Sequence, residues 1–463
     1  MKPSSRTCSL LHRSPVTAPL FLGLLAMMLL APTQLSAQVD PINIGEVRGE
    51  GKLLYQVAIP SFSQLPGSES ALKKEALPDI IYHDLEVSGV FARVKPQNFI
   101  DEQRRLELNE SEPKFVEWSR LKANFLVTAG YQLTASEISA QVTLWDVGKG
   151  IRIFAKEYKK FTPTQWRILA HRVSDDIHFY LTNEKGVANT RILFVHGENP
   201  KRNQVKEVWI MDADGANNKQ ITRDNSLAVT PCWGAKGTEA YYTSYKDYNP
   251  DLCVVTLDGS GDGDFISRWP TFNLSPSWNE TNKHIALILS KDGNSEIYTM
   301  DRSGQQLKRL TRTRYIDSSP HWFPNGRQML FTSDRAGTPQ IYMMDAEGIN
   351  QRRLTFRGSY NDSAVISPKG DKIVLASRNA NIFDLWMIDL DGRNWKRLTG
   401  VNGSQGNNED PTWSPNGRQI AFMSDRTGTK QIWIMNADGS NHRQLTTKGS
   451  NQSPSWSPFF DQQ

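Results

Sequence analysis

The 463 residues carry a formal net charge of +5, which falls to +2 once the basic leader holding Lys2, Arg6 and Arg13 is set aside. A near-neutral chain of this kind is not built around nucleic-acid phosphates. The 426 residues after residue 37 exceed what one core usually supports, so at least two domains are expected.

The basic start is followed by the apolar run LFLGLLAMMLLA from Leu20 to Ala31 and then by Leu35-Ser36-Ala37. A short greasy segment ending in small residues reads as a secretory signal peptide over 1–37, cleaved after Ala37. No later stretch is apolar enough to span a bilayer, and no lipidation cysteine follows the cleavage point, so export to a periplasm or beyond is expected. Residues 38–52, with Gly45, Gly49 and Gly51, read as a mobile arm.

Residues 53–186 read as a small α/β domain. Leu53 to Ile59 is a strand, and Pro78 opens a helix in PDIIYHDLEVSGVF that Gly89 ends. ANFLVTAGYQLT, EISAQVTLWDV and RIFAKEYKKF are three further strands. A last helix from Thr162-Pro163 places Trp166, Leu169, Ala170, Val173, Ile177 and Leu181 on one face. His171 and His178 on that helix are expected at its surface.

From residue 191 the chain repeats. Pro-x-Trp, or its degenerate copy around Ile366, puts Trp233, Trp278, Trp322, Ile366, Trp413 and Trp456 at spacings of 45, 44, 44, 47 and 43. Each unit continues with an apolar strand, a polar loop, and an alternating strand such as QIYMMD. A Gly turn and a strand ending in Leu-Thr or Ile-Thr complete it. Four strands per unit make a propeller blade. The first second-strand, RILFVHG at Arg191, has no Pro-x-Trp before it, and the last Pro-x-Trp has no blade after it. A six-bladed all-β propeller over 191–463, closed by its own C-terminal strand, is therefore expected, with the tryptophans packing between blades.

Cys232 and Cys253 fall on the first and third strands of one unit. Two strand spacings, roughly 9 to 10 Å, exceed the ~7 Å reach of a disulfide. They read as two buried free thiols. The pairs Asp334-Arg335 and Asp425-Arg426 recur at equivalent places and so read as structural, since catalysis needs a unique constellation. The sequence has neither a GxSxG elbow nor an HExxH motif. No enzymatic activity, cofactor or metal is expected. A propeller that holds a small ligand or carbohydrate remains an alternative, as does an accessory propeller of a hydrolase. Asp317, Asp362, Glu409 and Asp410 supply the oxygens a Ca²⁺ would need.

The helix PDIIYHDLEVSGVF, the strands ANFLVTAGYQ and VTLWDV, the junction LTNEKGVANTRILFV and the six blades together resemble the TolB family of the Tol-Pal envelope system. The resemblance covers nearly the whole chain after residue 37. It implies a monomeric periplasmic binding protein that docks Pal, the peptidoglycan-associated lipoprotein, at one mouth of the propeller channel. It also implies that the N-terminal arm engages TolA and other Tol proteins, and that the role is outer-membrane integrity and constriction during division. Carried onto this sequence, the Pal surface falls on the segments leading into the first strands: Phe272, Asn273, Ser275, Asp317, Ser318, Ser319, Asn361, Asp362, Glu409 and Asp410. The Tol-facing residues fall on Val39, Ile42, Ile44 and Val47 of the arm.

Overall fold

The computed structural model describes residues 54–73, 76–95, 99, 113–198, 205–257, 263–400 and 406–460. The signal segment with Ala37, and the arm with Val39, Ile42, Ile44 and Val47, lie outside them.

The N-terminal region is a mixed sheet ordered Phe91–Arg93, Tyr55–Ala58, Phe125–Leu133, Ile138–Asp146, Ile151–Phe161, with Ser63–Gln64 also pairing with the third of these. Its first pairings are parallel and its last two antiparallel. Helix α1 (Ala76–Val87) and helix α3 (Trp166–Thr182) pack together and share one core with the sheet. A short helix, α2 (Phe115–Arg120), covers the other side, where its Trp118 packs against Ala58, Leu126 and Val147. Thr162 and Gln165 form a capping box at the turn into α3, and Asn183 ends that helix in the left-handed region.

The repeats form six four-stranded antiparallel sheets. Blade one takes its first strand from Ser450–Trp456, which pairs with Arg191–Gly197, so the ring closes through the C-terminal strand. Blades two to six start at Ala228–Trp233, Asn273–Asn279, Asp317–Trp322, Tyr360–Ile366 and Asn408–Trp413. These first strands touch their neighbours around the axis and so line the central channel.

The repeat signatures have local causes. Every first strand carries a β-bulge, a register shift that leaves two residues facing one. Its first residue (Thr230, Ser275, Ser319, Ser363, Asp410 or Ser453) has φ between 48° and 53°. The second is the signature proline, or Ala364. Proline lacks an N–H, and the bulge is where the ladder does not ask for one. The threonine of Leu-Thr is buried, and its hydroxyl accepts the N–H of a third-strand residue, as at Thr311 to Ile297 (2.9 Å) and Thr399 to Leu385 (2.9 Å). Trp233, Trp322, Trp413 and Trp456 are buried, with Nε1 of Trp233 donating to Ser455 O of the neighbouring blade. These four tryptophans are therefore packing residues of the ring.

Cys232 and Cys253 are both free thiols. Cys253 is buried, whereas Cys232 is half-buried, packed against the apolar cluster of Tyr241, Leu252 and Ile285 between blades two and three.

Candidate docking face of the propeller

A four-stranded meander puts the turns between strands one and two, and three and four, on one face of the ring. The loops between strands two and three, and the segments leading into the next blade, lie on the opposite face. The N-terminal domain occupies the first of these. Gln419 Nε2 donates to Val87 O (2.5 Å), Asn416 Nδ2 to Lys185 O (3.1 Å) and Arg443 Nη2 to Glu86 O (3.1 Å), while Arg418 pairs with Glu184.

The other face, at the channel mouth, carries the apolar surface. Among the described residues the propeller has eight exposed large hydrophobics, and seven lie here: Val205, Tyr248, Trp269, Phe272, Ile316, Phe356 and Ile382. Tyr248 is 98% exposed and Phe356 72%. Bulky apolar groups gathered on one exposed face make it a candidate docking surface. Cations lie over several neighbouring rings, Arg353 over Phe356 and Lys291 over Trp269, which leaves the face mixed in character.

The ten residues expected at this mouth divide into two groups. Phe272 is half exposed, and Ser275, Ser318, Ser319, Asp362, Glu409 and Asp410 are half-buried around the channel rim. Asp362 accepts from Thr332 Oγ1 (2.6 Å), and Asp410 from Ser453 N (3.2 Å) and Oγ (3.1 Å). Burial, reinforced by the neighbouring Asp410, pushes the Glu409 carboxyl above its usual range.

Asn273, Asp317 and Asn361 are corrections: each has 0% exposure and cannot touch a partner in this conformation. They share one structural task at the start of the first strand, tying down the incoming segment. Asn273 Nδ2 donates to the carbonyls of Pro250, Trp269 and Thr271, and Asn361 Nδ2 to Gln340 Oε1 and Arg357 O. Asp317 accepts two 2.9 Å bonds from Arg335 Nη2. Arg335 and Arg426 are indeed structural, but they reach the first strand of their own blade, Arg426 through Asn408 Oδ1 (2.6 Å), rather than the aspartate beside them. Asp334 and Asp425 instead accept from Ile316 N and Asn407 N.

A second correction concerns α3. His171 and His178 are 2% and 3% exposed, because α3 is covered on one side by the sheet and on the other by α1 and the propeller. The spacing of His171, Ser174 and His178 at i, i+3 and i+7 marks that second buried stripe. Sequence reasoning also missed Tyr248, Trp269 and Phe356, whose signal was an aromatic in a mostly polar connection between strands.

Residues 179–460 match the family described as the TolB beta propeller domain, and residues 45–153 match the TolB amino-terminal domain. The Tol-Pal system protein TolB of Desulfosudis oleivorans is 32% identical over 292 residues, which cover 62% of this chain and 64% of that protein. A crystal structure of TolB from Acinetobacter baumannii superimposes with a TM-score of 0.75 at 26% identity, covering 88% of this chain and 98% of that one. A propeller closed by its last strand, an α/β domain seated on its turn face, and matches to both domain families lead to one conclusion: the chain belongs to the TolB family.

Proposed function

We propose that this protein is a non-catalytic periplasmic component of a Tol-Pal system, exported by a signal peptide cleaved after Ala37. In this reading the channel-mouth face docks Pal and the arm over residues 38–52 engages TolA. The protein thereby helps hold the outer membrane to the wall and constrict it at division. One observation carries the reading: among the described residues, seven of the propeller's eight exposed large hydrophobics lie on the face that the N-terminal domain leaves open. Family membership supplies the partners' names, and the D. oleivorans relative is itself a Tol-Pal system protein.

The test is co-purification of Pal from envelope extract with mass spectrometry. Phe272→Glu and Tyr248→Glu, both at exposed positions, are expected to cut recovered Pal at least tenfold with thermal unfolding unchanged, since a buried charge opposite an apolar partner costs about 2 kcal/mol or more. Undiminished recovery in both variants would place Pal elsewhere. Deletion of residues 38–51 is expected to abolish crosslinking to TolA while leaving Pal recovery intact.

A further inference from the structure

The junction between the N-terminal domain and the propeller combines an apolar contact, Val87 of α1 in one buried cluster with Met211 and Ala213, with a group of charges. His171 Nδ1 lies 2.8 Å from Asp84 Oδ2 of α1, which also accepts from Ser174 Oγ (2.7 Å). The other ring nitrogen, Nε2, faces the propeller, 3.8 Å from Asp212 Oδ2 at the end of the third strand of blade one. One turn earlier on α3, Arg167 Nη2 is 2.5 Å from Asp214 Oδ2, and its Nε is 3.7 Å from Asp212 Oδ2. Arg191, on the second strand of the same blade, stands 4.0 Å from Asp212 Oδ1.

Asp84, His171 and Asp214 offer ligand atoms within 4.8 Å of one another, as a metal site would. The guanidinium of Arg167 already holds Asp214, and a divalent cation would have to sit beside that charge. The imidazole, placed between two carboxylates, serves better as the cation itself. Burial opposes the charge on His171, but Asp84 and Asp212 outweigh it and hold the group up to about 10.

The junction is also incompletely satisfied. Among the described residues eleven buried polar side-chain atoms lack a hydrogen-bond partner, and three of them are here: His171 Nε2, Arg167 Nε and Gln419 Oε1. A cavity of about 30 Å³ lies at the same junction, beside Gln419, and is lined also by Asp84, Val87, Asp175, Asp214 and Arg418. The connecting segment is fastened by Asp175, whose carboxylate accepts from Ala188 N (2.8 Å) and Asn189 N (3.0 Å). A polar interface with orphaned donors is suited to opening and closing rather than to permanent fusion.

We propose that His171 is the pin of an electrostatic latch: positively charged between Asp84 of α1 and Asp212 of blade one, it holds the N-terminal domain on the propeller, and loss of that charge frees the domain to move about the segment 183–190. The His171–Asp84 contact also joins α3 to α1 within the domain, whose apolar core of sheet, α1 and α3 residues is expected to keep it folded without that contact. The latch does not depend on the identity of any partner.

Hydrogen exchange followed by mass spectrometry on the full chain tests it at pH 7. His171→Gln removes the charge from the domain side and Asp212→Asn removes its counterpart from the propeller side. Each is expected to speed exchange roughly tenfold in 86–89, 183–190, 212–216 and 416–419, while 125–133 and blades three to five keep wild-type rates. The double variant is expected to match the single ones, because all three break one interaction. Wild-type rates at the junction in both single variants would overturn the latch. So would an equal rise through 125–133, which would make His171 a packing residue of the small domain.

Discussion

Asp317 shows how position in the repeat and role can part. Its place ahead of Pro-x-Trp suggested a contact residue, yet Arg335 reaches it from the loop between the second and third strands and seals it beneath the channel mouth. Asp317→Ala would remove the carboxylate from a mostly buried guanidinium that keeps only its bonds to Ser333 and Gln351, a loss of about 2 to 3 kcal/mol. Urea denaturation is expected to show a lower midpoint of that size, against little change for Ser318→Ala at the half-buried neighbour. His171 gives the pH dependence. Its folded value is raised above the ordinary 6.5 to about 10, so its stabilisation is complete below pH ~6.5, declines through the alkaline range and is gone above about 10. Denaturation midpoints of wild type and His171→Gln are therefore expected to differ most at about pH 6.5 and just below, to differ less as pH rises, and to converge above pH 10. The burial of His171 depends on a partner far along the chain, Asp84 being 87 residues away, whereas Arg335 stands only 18 residues from Asp317 and the strand pairing that brings them together is not written in either residue.

At the scale of elements the sequence was far more informative, since the blade signatures answer to constraints within one repeat. Pro-x-Trp marks a bulge, Leu-Thr marks a hydroxyl that accepts a third-strand N–H, and the glycine turn between strands three and four marks a close approach between blades. At Gly392, with φ of 81°, an added Cβ would meet Leu354 O of the preceding blade at 2.0 Å; Gly304, Gly348 and Gly439 face the corresponding carbonyls. Gly370, with φ of 72°, has nothing within 4 Å. Gly392→Ala is therefore expected to cost about 3 kcal/mol, combining backbone strain with displacement of the neighbouring blade, and Gly370→Ala only about 1 kcal/mol from strain alone. Thermal unfolding of the two variants checks the difference. The small domain was less legible: its helices and long strands follow the apolar periodicity, but α2 and the two short parallel strands carry too few residues to leave a period.

The whole molecule separates two tasks by face. The turn side of the ring carries the N-terminal domain on charged and polar contacts around the buried Val87, and the channel-mouth side gathers exposed aromatic and aliphatic groups. That division follows from the meander, which sends alternate connections to opposite sides, and it was implicit in the strand count. Which face took the small domain was not, because the contacts that decide it join Val87 to Gln419 and Glu184 to Arg418, residues over 200 positions apart. The closing strand has a further consequence, for the order in which the protein assembles. Blades two to six are each contiguous and can form from local hairpins, but blade one joins Arg191 to Ser457 across 266 residues. Its loop-closure entropy falls due only after the other blades exist. Until then the strand Arg191–Gly197 is a bare template for foreign strands, so a chain ending before Ser450 is expected to emerge from size-exclusion chromatography as aggregate while the full chain runs as a single species.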